Sequence, residues 1–404
     1  MPLTVARMTF LPRASRGRTA ARATLAACAA LVVAVPAVTY ALTTTPSLTA
    51  ATSAQAPASD TSRYASRTTA NPLAGRTWGH GDLDPTLDAF NAASGSAPDQ
   101  ALLAKLALQP KAAWLGSWWS TDKLGKVVSR YIATAQAGDS EALVQLATFR
   151  MEPWEQESCN RVSTIQEQQD YKAWFNTLAA AIGSAHVAIV QQPDGPFVLC
   201  APRKSKAHAE LISYGTQVLS ALPNTSVYVE VGAADWPMDD PKKAARIAKL
   251  GGVRYARGIA LNGTHYDTTE RQVIFGAQVA QQLAKQGMPG KTVVVNTTQN
   301  GRGFRAGDFQ NKYKKDTCNL AKATGSCYDH APVCTSPTQR VCVTLGIPPT
   351  TDVANPAWGL TAKANALAQQ YVDGYVWFGR PWLFMQNQPF QLNRALDLAR
   401  STSY

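Results

Sequence analysis

The stretch Ala185–Cys200, AHVAIVQQPDGPFVLC, sets the reading of the chain. Its first part, His186–Gln191, is a short apolar run with β-branched Val187 and Ile189, bounded by Pro193 and Gly195. That is the pattern of a buried strand running into a sharp polar turn. The turn presents one carboxylate, Asp194, with Pro193 before it and Pro196 just beyond. Proline fixes φ and glycine relaxes it, so such a loop can hold an acid at a defined place at the end of a strand. Taken alone, Pro-Asp-Gly reads as an ordinary turn. The rest of the chain decides what this one does.

Outward from this stretch, strands and helices alternate. Strands are expected at Ala112–Gly116, Leu143–Phe149, His186–Gln191, Ser226–Val231, Gly258–Leu261, Thr292–Asn296 and Gly374–Phe378. Helices are expected at Ala101–Leu108, Leu124–Ala137, Ile165–Ile182, Ala207–Ala221, Pro241–Leu250, Arg271–Gln286 and Ala357–Tyr371. Seven such repeats predict an α/β fold with a parallel sheet, and their count and size favour a closed or nearly closed TIM-barrel-like β/α barrel over a doubly wound sheet, in one domain over residues 71–404. In such barrels the chemistry sits at the C-terminal strand ends, where Asp194, Glu230, Asn262, Asn296 and Gly379 fall. The segment Gly301–Asn355 carries four cysteines and reads as an elaborated, disulfide-stapled loop over that face.

The chain has 404 residues, 45% hydrophobic and 16% charged, enough for a large core and one or two domains. Met1–Ala23 carries five arginines and no acid, and Thr24–Ala37 is apolar. Together residues 1–41 read as a secretory signal, cleaved after Ala37 or Ala41. The alternative is a membrane anchor, although the apolar run is short for a span. Residues 42–70, rich in Ser, Thr, Ala and Pro, read as a flexible linker. Net charge is +12, or +7 without the leader's arginines. No basic block with interleaved aromatics points to nucleic acid. No glycine-rich phosphate loop follows a strand, and no cysteine pair has zinc spacing, so no cofactor and no metal are expected. Cys159, Cys200, Cys318, Cys327, Cys334 and Cys342 in an exported chain predict up to three disulfides.

Four stretches then resemble glycoside hydrolase family 6, the cellobiohydrolases and endoglucanases acting on β-1,4-glucan. AIVQQPDGPF (Ala188–Phe197) is similar to the family strand ending Glu-Pro-Asp, whose Asp is the general acid. SVYVEVGAADWP (Ser226–Pro237) looks like the strand ending Asp-Ala-Gly-His-Ala-Gly-Trp. RGIALNGTHYDTT (Arg257–Thr269) is close to Gly-Phe-Ala-Leu-Asn-x-x-Asn-Tyr, and VVVNTTQNGRGF (Val293–Phe304) to the Asp-Thr-Ser-Arg-Asn-Gly stretch. NPLAG (Asn71–Gly75), AAWLGSW (Ala112–Trp118) and WFGRP (Trp377–Pro381) fall in the family's order.

The resemblance implies a distorted seven-stranded parallel β/α barrel and inverting hydrolysis with Asp194 as acid. Inversion also needs a water activated on the opposite sugar face. It implies that Trp114 and Trp236 line the cleft, and that Asn262 and His265 bind sugar hydroxyls. It implies a Cys159–Cys200 disulfide, and that Cys342 pairs with Cys318, Cys327 or Cys334. The expected partner is a β-glucan polysaccharide or oligosaccharide, bound by a monomer.

The departures from the pattern concern the carboxylates. FRMEPWEQESC (Phe149–Cys159) has no Asp where the family has Arg-Asp-Cys, and Glu157 or Glu155 stands in. Glu230 replaces an Asp at the fourth strand end; Ala233 replaces a His, with Asp235 two residues on. FGRPWLFMQNQPF (Phe378–Phe390) lacks the family's Lys-Pro-Gly-Glu-x-Asp-Gly acids, including the one often assigned as base. The candidates for activating water are therefore Glu230, Asp235 or a Glu of Glu152–Glu157, directly or through a chain of waters. The alternative is a catalytically weak or inactive carbohydrate-binding protein on the same scaffold.

Overall fold

The computed structural model describes residues 70–236, 239–313 and 327–403. The expected leader, nearly all of the linker, and Cys318 lie outside the described residues.

Seven parallel strands run in sequential order: β1 (Ala113–Gly116), β2 (Val144–Phe149), β3 (Val187–Gln191), β4 (Thr225–Glu230), β5 (Gly258–Leu261), β6 (Thr292–Asn296) and β7 (Val372–Val376). Each strand pairs with the next in register, as in Ile189 opposite Leu146 on one side and Val227 on the other. The sheet curls so that its edges approach each other without pairing as strands. No ladder joins β1 to β7 among the described residues, but Ala112 N–H donates to Trp377 O at 2.9 Å. The architecture is the expected distorted seven-stranded α/β barrel, drawn in as a curled half-barrel.

Alternation along each strand divides the core in two. In β3, Val187 and Ile189 join the layer between sheet and helices, while Ala188 and Val190 face the barrel interior. Small Ala147, Ala188 and Ala260 line that interior, and Tyr228 and Phe378 fill it. Gly258 has its place because a Cβ there would stand 1.9 Å from Thr292 O on the adjacent strand.

Helix starts are written locally. Thr164 and Glu167 form a capping box before Ile165–Ile182. Thr268, Thr361 and Asp240 accept from the amides of Thr269–Lys285, Ala362–Tyr371 and Pro241–Leu250. The last predicted helix starts five residues late, because Gly359 takes a left-handed conformation (φ 67°) after a single tight turn. Short helices at Pro85–Ala92 and Leu392–Ser401, and a hairpin of Leu383–Phe384 with Asn387–Phe390, are additions to the expected set. The segment expected to be all loop holds a helix at Ala306–Tyr313. Cys159–Cys200 and Cys334–Cys342 are disulfides, and Cys327 is also disulfide-bonded. Cys342 thus takes Cys334 of its three candidates.

Candidate active site

Four consecutive residues after β3 are pinned from three parts of the barrel rim, beyond β2, β4 and β5. Gln192 Oε1 accepts from the amides of Arg150 (3.3 Å) and Met151 (3.2 Å) beyond β2. Pro193 O accepts from Trp154 Nε1 at 3.0 Å. Asp194 Oδ1 accepts from Thr264 Oγ1 at 2.9 Å, beyond β5. Gly195 N–H donates to Glu230 Oε2, at the end of β4, at 2.7 Å. The backbone is left-handed at Gln192 (φ 53°) and Asp194 (φ 63°), a strain such tethers sustain and one that gathers at functional sites. Gly195 is required by contact: a Cβ there would lie 2.0 Å from Glu230 O.

The loop presents Asp194 half-buried, with its pKa pushed up to about 7. Burial is the main cause, the charge of Glu155 comes next, and the Thr264 hydrogen bond opposes both, with Asp329 adding a smaller upward push. Glu155 is itself raised, by burial and then by Asp329. Three carboxyl groups from separate segments therefore bear on one another: Asp194 after β3, Glu155 after β2, and Asp329 in the short turn Tyr328–His330. A carboxyl that keeps its proton near neutral pH is the requirement for a general acid.

On the β4–β5 side, His265 stacks on Trp236, with ring centroids 5.2 Å apart and planes 10° apart. His265 Nδ1 bonds Asp235 Oδ1 at 2.9 Å, and Asp235 Oδ2 accepts from Ala306 N–H at 2.8 Å. Burial works against both charges, but the mutual hydrogen bond and charge attraction together outweigh it: the carboxyl lies below and the imidazole above its ordinary range. Tyr328 closes the cluster, its Oη 3.2 Å from His265 Nδ1.

A cavity of about 600 Å³ opens on the other side, lined by Trp114, Trp118, Trp119, Trp382 and Arg380 among others. Asp194 does not line it. The two regions meet at Arg380, which feels the charge of Asp194 and whose pKa burial lowers to about 9. Its guanidinium lies 3.7 Å from the centre of the Trp114 ring.

The structure sorts the residues singled out from the sequence. Asp194, Trp236, His265 and Asp235 come together. Trp114 lines the cavity, although Arg380 covers one face of its ring. Glu230 is corrected from water-activating candidate to positioning group. It is 2% exposed, and its two oxygens accept from Gly195 and Gly232 amides at 2.7 and 2.9 Å. Burial, then Asp194, raises its pKa. Glu157 is corrected too: it is exposed and paired with Arg161 at 2.7 Å, and the charge that reaches Asp194 is that of Glu155. Asn262 is fully buried and bonds the carbonyls of Asp267 and Asn296, so it shapes the rim and is closed to a sugar. Thr264, Tyr328 and Asp329 are additions. Thr264 stands in the quoted Arg257–Thr269 stretch, whereas the only sign of the other two is a Tyr-Asp-His run after Cys327.

The sequence model of the glycosyl hydrolases family 6 matches residues 81–328, more than half of the chain. Endoglucanase A of Cellulomonas fimi is 30% identical over 225 residues, which are 55% of this chain and 46% of that protein. Endoglucanase 1 of Streptomyces halstedii is 27% identical over 230 residues, 55% of this chain and 69% of that one. The match thus spans about half the length of the first relative. Among solved structures, the endoglucanase Cel6 from Mycobacterium tuberculosis, in complex with methyl-cellobiosyl-4-deoxy-4-thio-β-D-cellobioside, superposes with a TM-score of 0.62 at 24% identity. That superposition covers 82% of this chain and 99% of the other, and it carries the fold. The chain belongs to glycoside hydrolase family 6.

Proposed function

We propose that this protein is a β-1,4-glucanase that hydrolyses cellulose-type β-glucan with inversion, using Asp194 as general acid. One observation carries the reading. Asp194 sits at a C-terminal strand end on a strained, four-point-tethered loop, with two further carboxyl groups bearing on it and a pKa near 7. Asp194 donates its proton to the leaving oxygen, while a water attacks the anomeric carbon from the other face. Trp236 and Trp114 offer aromatic faces to glucose rings on either side, with the Trp114 face reached past Arg380. The family match and the endoglucanase relatives support the substrate class.

The protein acts outside the cell as a monomer, exported by residues 1–41 and tethered by residues 42–70. Its disulfides at Cys159–Cys200, Cys334–Cys342 and Cys327 support an oxidising compartment. One observation favours the second reading, a binder without turnover: Met385 or Gln386 falls where the resemblance places the acid often assigned as base.

The test is reducing-sugar release from soluble β-glucans and cello-oligosaccharides by the mature protein and by Asp194→Asn. Activity in the first and none in the second is the expected result. Oligosaccharide binding with no turnover in either moves the protein to the binder reading.

A further inference from the structure

The segment 263–266, just beyond β5, carries two side chains of the site: Thr264 on the acid and His265 on Trp236. Two glutamines hold it from elsewhere in the chain. Gln299 Nε2 shares its hydrogens among Gly263 O (3.1 Å), His265 O (3.0 Å) and Gln386 Oε1 (3.2 Å). Gln386 Nε2 donates to Thr264 O at 2.9 Å and to Tyr266 Oη at 3.3 Å. Both glutamines are buried, and each residue of the segment is gripped by one of the two amides. Gln386 sits at the tip of the hairpin of Leu383–Phe384 with Asn387–Phe390, where Met385 (φ 51°) and Gln386 (φ 56°) are both left-handed. Such a two-residue turn favours Asn and Gly. The chain keeps a longer side chain there against that strain, and both ends of its amide are engaged.

We propose that Gln386, with Gln299 behind it, is the positioning residue that aims Thr264 at Asp194. The proposal rests on the hydrolase reading given above. The chemistry of the contacts carries it. Thr264 offers Gln386 a carbonyl oxygen, which only accepts, so the group at this position must donate. An amide does so, with one N–H for Thr264 O and the other for Tyr266 Oη, while its oxygen takes a hydrogen from Gln299. A carboxylate has no hydrogen to give and would set an oxygen against Thr264 O. The family pattern has an arginine where Gln299 stands and an acid where Met385 or Gln386 falls. Here two neutral amides meet, so the two departures fit one another as a pair. The rim after β7 is built around a donor, and the place of the missing acid is filled.

The experiment uses the mature protein, Gln386→Glu and Gln386→Met. Glutamate keeps the shape and removes the donors; methionine keeps the length and removes every polar atom. Each protein is assayed on a soluble cello-oligosaccharide and on a dinitrophenyl β-cello-oligosaccharide, whose leaving group departs as an anion and needs no proton. On the cello-oligosaccharide kcat of both variants is expected to fall about 10²-fold, the cost of a displaced catalytic group, with KM little changed. On the dinitrophenyl substrate both should stay within about threefold of the parent, because the acid is not needed there. An equal loss on both substrates, or a melting temperature well below the parent's, makes the glutamine part of the scaffold and overturns the proposal. Parent-like kcat in Gln386→Met on the cello-oligosaccharide overturns it too. A rise in activity in Gln386→Glu would reveal a vacant place for the base and also overturn it, with the hydrolase reading left standing. A parent protein inactive on both substrates removes the hydrolase reading, and the proposal with it.

Discussion

Two aspartates mark the two ends of this barrel. Asp373, near the start of β7, is 5% exposed in its side chain and accepts four hydrogen bonds from three residues. Arg257 Nε and Nη2 donate to it at 2.9 and 3.0 Å, Tyr228 Oη at 2.8 Å and Thr292 Oγ1 at 2.5 Å. Asp194, at the opposite strand ends, has one hydroxyl, a strained backbone and carboxylates for neighbours. The same residue type is a clamp at one end and a proton donor at the other. What separates them is the number of donors supplied and the two carboxylates beside Asp194, which His265 only partly offsets. Barrels commonly separate stability and chemistry in this way.

The sharpest test of the contrast is to neutralise both acids. Asp194→Asn should lose about 10²–10⁴-fold in kcat, the range for removing a general acid. Its stability should behave in the opposite way. The folded pKa of about 7 lies above the unfolded value of about 3.9, so the native state holds the proton longer. Stability conferred by that proton is present at acid pH and is lost as pH rises from about 4 to about 7. At pH 8 Asp194→Asn should therefore melt no lower than the parent, by calorimetry. A clearly lower melting temperature at pH 8 would show that the ionised carboxylate is structural, and the comparison would collapse.

Asp373→Ala should show the reverse pattern. Removing one member of a buried pair leaves Arg257 without this carboxylate and costs about 3–5 kcal/mol. Urea unfolding should show that loss, while kcat of the protein that remains folded stays within a fewfold of the parent. A selective fall in kcat with unchanged stability would mean that the lower end of the barrel takes part in the chemistry.

Glu230→Gln lies between these cases. Glu230 is as buried as Asp373, yet its two oxygens hold the amides that fix the Asp194 loop. A glutamine turns one acceptor into a donor facing an N–H. The expected cost is about 1–3 kcal/mol, seen as lower kcat at little-changed KM. Loss of activity with an unchanged loop in a crystal structure of the variant would return Glu230 to the water-activating role.

This middle case shows what was legible in the sequence. β5 and β6 begin and end where the apolar runs Gly258–Leu261 and Thr292–Asn296 do, because a strand buried on both faces writes its own limits. Asp194 was legible because proline and glycine around a lone acid constrain a loop locally. Glu230 and Asn262 share the outward signs of site residues, polar groups at strand ends. Their roles are set by contacts far along the chain: Gly195 comes close enough to take both the backbone and the carboxylate of Glu230. Asp329 belongs to a turn whose position depends on Tyr328 meeting His265, 63 residues earlier, and no local pattern encodes that meeting.

The smallest effect tests the electrostatic half of the contrast by itself. Thr264 Oγ1 donates to Asp194 Oδ1, and a hydrogen bond to the charged form favours that form. With the charge of His265, it holds down a pKa that burial and two carboxylates push up. Thr264→Val keeps the branched shape and removes the donor, so the Asp194 pKa must rise further. The alkaline limb of the pH–rate profile, where the acid loses its proton, should move upward by up to about one pH unit, the equivalent of one modest hydrogen bond. The acidic limb, set by the base, should stay in place. A shift of the alkaline limb downward would mean that Thr264 holds the loop more than the charge, since a loosened Asp194 would gain solvent and ionise sooner. The direction of that shift separates electrostatic tuning of the acid from simple packing around it.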